Sequence, residues 1–264
     1  LKAISFMPGN MGTEYESHQG AVLLFEADHG QLLAVMDASS ITGIRTAAAS
    51  GLATRLLARE QAGDLAILGS GVQAASHLEA MSVVRNLRRI RVWSRDEAQM
   101  AAFADREGRR LGVRIETSAS AQSAVKGADI VCTTTGSRTP VLYGDWLAPG
   151  THVNAVGACF PDTRELDTRA VLRSRFFVDC RESALNEAGD FLIPRSEGAV
   201  TDDHILGEIG EVVLGKVAGR GADDEVTVFK SLGVAVEDLA AAHHIYKKAV
   251  ATSRGIQADL GGKR

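Results

Sequence analysis

Two glycines, Gly69 and Gly71, lie in the stretch whose residue types and spacing are most specific for a chemical task. The stretch Leu68-Gly-Ser-Gly-Val-Gln-Ala74 fits G-x-G-x-x-A between an apolar run and a helical pattern. The first glycine permits a tight turn, the second lets the backbone approach a pyrophosphate, and Val72 and Gln73 open the phosphate-binding helix. The pattern predicts a dinucleotide site, and the alternative is a turn that is only structural.

The end of the next apolar run bears on which dinucleotide is bound. A carboxylate there would bind the adenosine ribose hydroxyls and favour NAD. This sequence has Ser94 at that position, followed by Arg95. A hydroxyl and a guanidinium suit a 2′-phosphate, so we expect NADP(H), with NAD(H) as the alternative. In the competing interpretation Arg95 is a solvated surface residue.

Strands and helices alternate from Asp64 onward and must position these residues. This alternation predicts an α/β fold with a parallel, doubly wound sheet of the Rossmann type. The predicted helices of this part span residues 72–84 and 97–110. The predicted strands span residues 65–68, 90–93, 113–115, 129–132, 152–156, 176–179 and 226–229.

The flanking segments do not follow the alternation. Residues 20–36 predict a hairpin, residues 41–58 a helix, and residues 234–249 a late helix with Val236, Leu239, Ala240 and Ile245 on its apolar side. We therefore predict a second, smaller α+β domain for substrate binding and dimerisation, formed by residues 1–58 and 235–264. The Rossmann domain would then span residues 59–234. We expect the smaller domain to include residues that precede Leu1.

Composition excludes several classes of function. The chain has 264 residues, 45% hydrophobic and 23% charged, with a net charge of −4 and no basic block, so nucleic acid is not an expected partner. Since no apolar run approaches the roughly 20 residues of a membrane span, we expect no membrane partner. Cys132, Cys159 and Cys180 form no CxxC pattern, which favours a reducing compartment, the cytoplasm. His243-His244 lacks a third ligand at suitable spacing, so we expect no metal.

Six stretches together resemble the ornithine cyclodeaminase/μ-crystallin family. They extend over nearly the whole chain and keep the family's order: residues 40–50, 68–74, 150–157, 164–167, 187–190 and 228–239. The resemblance implies a homodimer with two domains per subunit. It also implies an NAD(P)-dependent oxidoreductase that interconverts a small α-amino acid and its α-imino acid by hydride transfer at the α carbon.

The resemblance also assigns catalytic residues. The family's lysine falls on Lys2, and its substrate-carboxylate arginine falls on Arg45. A guanidinium can fix a carboxylate through two parallel hydrogen bonds, and Lys2 could hold the other oxygen or move a proton at the imine nitrogen. The structural alternative is that both are surface charges. Further cofactor contacts carried over from the family are Ser17, Thr135, Val156, Gly157, Lys230 and Ser231.

One position departs from the cyclodeaminase pattern. The aspartate that handles protons at the substrate amine falls on Cys159. A neutral thiol is a poor base, and Asp162 is in a turn that is more often structural. The leading hypothesis is therefore a ketimine reductase or amino-acid dehydrogenase. The alternatives are an ornithine cyclodeaminase, which forms proline and ammonia while recycling NAD, and a non-enzymatic NADP-binding protein.

Overall fold

The computed structural model describes residues 1–10, 13–15, 18–259 and 261. The chain forms two compact units, Leu1–Thr46 with Val234–Arg264, and Ala47–Gly233. The division at residues 46 and 47 falls earlier than the predicted one at residues 58 and 59. The reason is that Ala53 and Leu57, near the end of the first helix, pack against Phe177 and Phe229 in the core of the second unit.

The first unit begins with a small antiparallel sheet. Its strands β1 (Lys2–Phe6), β2 (His18–Phe25) and β3 (Leu32–Asp37) pair in sequence order. The helix α1 (Ala38–Leu57) follows β3 directly and continues into the second unit. The Oδ1 atom of Asp37 accepts a hydrogen bond from the N–H of Ser40 at 2.6 Å, which supports the start of α1.

The second unit contains the parallel sheet that the sequence predicts. Within the described residues eight strands pair in parallel, in the order β10-β9-β11-β8-β7-β4-β5-β6. The order reverses between β4 and β7, the switch point at which doubly wound sheets bind ligands. The strands are β4 (Asp64–Leu68), β5 (Arg89–Trp93), β6 (Ile115–Thr117), β7 (Ile130–Thr133), β8 (His152–Ala155), β9 (Ser174–Val178), β10 (Ile205–Glu208) and β11 (Val226–Lys230).

Helices connect these strands and cover both faces of the sheet, which confirms the α/β Rossmann-type fold. The two long ones are α2 (Val72–Val84) and α3 (Glu97–Leu111). Shorter ones are α4 (Ala121–Val125), α5 (Thr168–Leu172), α6 (Arg181–Glu187), α7 (Gly189–Ser196) and α8 (Ile209–Val213). Short 3-10 helices span Pro8–Asn10, Gly144–Trp146 and Asp202–His204.

The third predicted strand was placed two residues too early. Gly112 adopts a left-handed conformation at the end of α3, and the N–H of Val113 still bonds to the carbonyl of Gly108. The helix-closing turn therefore occupies Val113, and β6 begins only at Ile115. The strands β1 and β10 and the helices α4 to α8 were not predicted.

The final helix, α9 (Ala235–Ala251), returns to the first unit. Ala242 is its buried residue and packs with Val22 and Ile41. On the predicted apolar side, Val236 and Leu239 are 65% and 56% exposed. In the part of the chain that the structure describes, no helix is long and apolar enough to cross a membrane.

Candidate active site

The glycine turn has the geometry of a dinucleotide cradle. Gly69 has φ +125°, and a Cβ there would lie 2.6 Å from Oγ1 of Thr134, so only glycine fits. At Gly71 a Cβ would meet no atom within 4 Å, which leaves open space before α2. No side chain caps the start of α2, because its N-cap residue is Gly71. Oε1 of Gln73 is buried without a hydrogen-bond partner among the described residues. These groups fit a dinucleotide phosphate and ribose.

Ser94 and Arg95 follow β5 beside this turn. The Ser70 hydroxyl donates to Oγ of Ser94 at 3.1 Å, which ties the glycine turn to the end of β5. Arg95 is exposed. Asp96 accepts a hydrogen bond from the N–H of Gln99 at 2.9 Å and so caps α3. The Asp96 carboxylate next to Arg95 thus caps α3, and the exposed Arg95 guanidinium is accessible to an anion.

A buried carboxylate joins the loops that follow β7 and β8. Oε1 of Glu165 accepts from the N–H of Thr135 at 2.5 Å, and Oε2 accepts from the N–H of Gly157 at 2.7 Å. A Cβ on Gly157 would collide with the Thr135 carbonyl, so glycine is required there. Burial and the nearby Asp190 carboxylate raise the pKa of Glu165.

Lys230 ends β11 inside the protein. Its Nζ lies 3.1 Å from Oδ2 of Asp190, and both side chains are fully buried. Burial opposes the charge on Lys230, but the carboxylates of Asp190 and Glu165 outweigh it and raise the pKa of Lys230. Oδ1 of Asp190 accepts from the N–H groups of Glu165 and Leu166, at 2.7 and 2.9 Å. Lys230 thus neutralises a carboxylate that positions the loop of Glu165.

The other predicted cofactor residues lie at the ends of elements of the second unit. Val72 begins α2, Thr135 and Val156 lie just beyond β7 and β8, and Ser231 directly follows β11 and is buried. Ser17 lies outside the described residues.

The two predicted catalytic residues lie together in the first unit. Lys2 on β1 places Nζ 3.0 Å from Oδ1 of Asp238 and donates to Oγ1 of Thr42 at 2.6 Å. Arg45 on α1 places Nε 3.2 Å from the same Oδ1 atom and Nη1 2.9 Å from Oε2 of Glu237. All four charged side chains are at least four-fifths buried. One carboxylate oxygen therefore holds the two cations side by side.

Cys159 and Asp162 offer little as bases. The Cys159 thiol lies 3.5 Å from the Val156 carbonyl, and desolvation raises the pKa of Cys159. Asp162 is largely exposed and pairs with Arg138.

Comparison with known proteins decides the family. The sequence profile described as the ornithine cyclodeaminase/mu-crystallin family matches residues 1–253. The chain belongs to this family. Mouse ketimine reductase mu-crystallin (Mus musculus) is 42% identical over 245 residues, which are 93% of this chain and 74% of the relative.

Two solved structures resemble this one closely. The Thermococcus litoralis Delta(1)-pyrroline-2-carboxylate reductase, in complex with NADH and L-proline, has a TM-score of 0.94 at 39% identity and covers 97% of this chain and 80% of its own. An archaeal alanine dehydrogenase dimer with bound NAD has a TM-score of 0.91 at 32% identity. The match covers 98% of this chain and 80% of the alanine dehydrogenase chain.

Sequence reasoning missed two buried carboxylates of the second unit and one carboxylate of the first unit. Glu165, Asp190 and Asp238 all lie inside stretches that carry the family resemblance. Their positions in those stretches were the signal that could have pointed to them, although the polar composition of residues 164–167 and 187–190 gives no sign of burial. Which cation or N–H each one meets depends on the fold.

Proposed function

We propose that this chain is an NAD(P)H-dependent reductase of small α-imino acids, and that it runs in reverse as an amino-acid dehydrogenase. The observation that carries the proposal is the pair of cations Lys2 and Arg45, held by Asp238. Such a pair suits a substrate with one carboxylate and an adjacent C=N group. The Delta(1)-pyrroline-2-carboxylate reductase relative, which binds NADH and L-proline, supports this substrate class.

Each residue of the cluster has a separate task in this proposal. Arg45 binds the substrate carboxylate, and its ion pairs with Glu237 and Asp238 restrict the orientation of the guanidinium. Lys2, held by Thr42 and Asp238, donates a proton to the substrate nitrogen as the C=N bond becomes a C–N bond. A bound reduced nicotinamide supplies the hydride to the α carbon.

The glycine turn and the start of α2 would hold the pyrophosphate, through the N–H groups at Val72 and Gln73. We propose a preference for NADPH, because Ser94 replaces a carboxylate and Arg95 is exposed beside it. Cyclodeamination has less support, since a thiol with a raised pKa, Cys159, stands at the position of the family's aspartate. The three unpaired thiols suit a reducing compartment such as the cytoplasm.

We further propose that a second copy of the chain covers the exposed apolar surface of the first unit. Phe25, Leu33, Val236 and Leu239 line a groove of about 390 Å³. Exposed apolar patches of this kind commonly mark protein interfaces. The archaeal alanine dehydrogenase relative, which is a dimer, favours a second copy as the occupant.

The test is an absorbance assay at 340 nm with NADPH and with NADH. Substrates are pyrroline-2-carboxylate and piperideine-2-carboxylate, with L-ornithine and NAD⁺ in parallel. We expect the imines to oxidise NADPH faster than NADH, and Arg95→Ala to abolish the preference for NADPH. Proline and ammonia from ornithine, with no reaction of the imines, would overturn the proposal in favour of a cyclodeaminase. Tight NADPH binding without either reaction would indicate a binding protein.

A further inference from the structure

Three buried ionic side chains connect the carboxyl ends of three adjacent strands. Lys230 ends β11, Glu165 bonds to the loops after β7 and β8, and Asp190 in the first turn of α7 stands between them. All three are fully buried. In a buried setting a charge is retained only where hydrogen bonds and a counter-charge compensate for its desolvation. The carboxylates meet this demand with backbone N–H groups of the strand-end loops.

The loop held by Glu165 leads directly to the glycine turn. Glu165 fixes the N–H of Thr135, and the preceding residue, Thr134, donates from both its N–H and its hydroxyl to the carbonyl of Leu68, at 2.8 and 3.0 Å. Thr134 is also the residue that leaves no room for a side chain at Gly69. The position of this loop therefore determines the shape of the turn at the switch point between β4 and β7.

We propose that Glu165 is a positioning residue for the dinucleotide, and that Asp190 and Lys230 in turn hold Glu165 in place. Glu165 does not need to touch the cofactor for this role. Its two oxygens set the spacing of the loops after β7 and β8. These loops approach each other so closely at Thr135 and Gly157 that only glycine fits at position 157. The inference rests on the proposed use of NAD(P)H by this site.

The opposite edge of the same sheet offers a matched comparison. Asp129 accepts from the N–H groups of Gly63 and Asp64, at 2.9 and 3.1 Å, and pairs with Arg59 and Arg88. Like Glu165, it is a largely buried carboxylate that holds two backbone N–H groups. It lies at the amino end of β4 and β7, away from the edge at which doubly wound sheets bind ligands.

The experiment compares Glu165→Gln with Asp129→Asn in the full chain. A glutamine must turn its NH₂ group toward one of the two N–H donors, so at least one of the two bonds is lost. Dissociation constants for NADPH and NADH come from fluorescence titration, and thermal midpoints from circular dichroism. We expect both variants to lower the thermal midpoint. Only Glu165→Gln should weaken dinucleotide binding, by about 10-fold, the size expected for one lost charged hydrogen bond.

Equal dinucleotide affinities in the two variants would overturn the inference, and so would an unchanged affinity in Glu165→Gln. If Glu165→Gln does not fold, Glu165→Asp keeps the charge and both acceptor oxygens on a shorter side chain, and its affinity is compared with that of Asp129→Asn. The readout is independent of imine chemistry. A wild-type protein that binds NADPH but reduces no imine would contradict the proposed function alone.

Discussion

Arg45 meets its carboxylate partners through two different nitrogen atoms. Nη1 lies 2.9 Å from Oε2 of Glu237, and Nε lies 3.2 Å from Oδ1 of Asp238. Contacts at two nitrogen atoms restrict the orientation of the planar guanidinium, whereas the compact ammonium of a lysine has no such planar geometry to orient. The side chain is 11% exposed, so water does little to screen these contacts. The proposed ligand of the substrate carboxylate therefore presents a restricted orientation as well as a charge.

A conservative change at Arg45 should therefore be costly. We expect Arg45→Lys to lower kcat/KM for pyrroline-2-carboxylate by about 100-fold, the loss typical of a substrate held slightly out of place. The affinity for NADPH should not change. Steady-state kinetics and NADPH titration measure the two effects.

Arg55 provides the control, because it lies on the same helix and is exposed. Arg55→Lys should leave both parameters as in the wild type. An Arg45→Lys variant that keeps its kcat/KM would show that Arg45 is not the carboxylate ligand.

We expect the two glycines of the glycine turn to have different tasks, one in stability and the other in dinucleotide binding. Gly69 has φ +125° and no space for a Cβ, whereas Gly71 has an ordinary backbone conformation and open space in front of it. We expect Gly69→Ala to lower the free energy of unfolding by about 1–3 kcal/mol because it strains the backbone. Gly71→Ala should leave stability nearly unchanged and weaken NADPH binding, since the new methyl group occupies the phosphate space.

Urea denaturation and fluorescence titration of NADPH test the two variants side by side. The idea fails if Gly71→Ala binds NADPH like the wild type, or if Gly69→Ala is as stable as the wild type.

Elements with strong local signals were predictable from the sequence, and the carboxylate network was not. The helix 72–84 was predicted at the residues where α2 lies, because a glycine turn precedes it and a continuous apolar pattern defines it. The strand β10 (Ile205–Glu208) has no clear apolar alternation. The inward-facing Gly207 has no side chain, and the apolar Leu206 is exposed. The pairing of Lys230 with Asp190 joins residues 40 positions apart, which no local rule relates.

At the scale of the whole molecule, the exposed side of α9 bears on assembly. Val236 and Leu239, which were predicted on the apolar side of this helix, lie on the surface beside Phe25. If a second copy covers them, the wild-type protein should have the mass of a dimer in light scattering, and Leu239→Glu should shift it toward the monomer. Val83→Glu is the control, since Val83 is 81% exposed on α2 and outside this groove. A monomeric wild type, or a Leu239→Glu dimer, would exclude this surface.

Two buried histidines lie in the second unit, His77 on α2 and His152 on β8. Nδ1 of His77 lies 2.7 Å from the Gln73 carbonyl and Nε2 lies 2.8 Å from Oγ of Ser50. Because a carbonyl only accepts, Nδ1 carries a proton, and in the neutral ring Nε2 accepts from the serine hydroxyl. His152 bonds in a similar way to Thr227 and Asn154. Burial lowers the pKa of His77 to about 4, and burial together with Arg220 lowers the pKa of His152 to about 3.

These lowered pKa values make stability depend on pH. The unfolded chain protonates each histidine near pH 6.5, whereas the folded chain does so only near pH 4 or 3. As the pH falls below about 6.5, the unfolded state binds more protons, and the free energy of unfolding falls by up to about 1.4 kcal/mol per pH unit for each histidine. Urea denaturation between pH 7.5 and pH 5 measures this slope. His77→Gln should reduce it by about one proton, whereas His244→Gln, at an exposed position, should leave it unchanged. An unaltered slope in His77→Gln would mean that the folded protein protonates this ring as readily as the unfolded chain does.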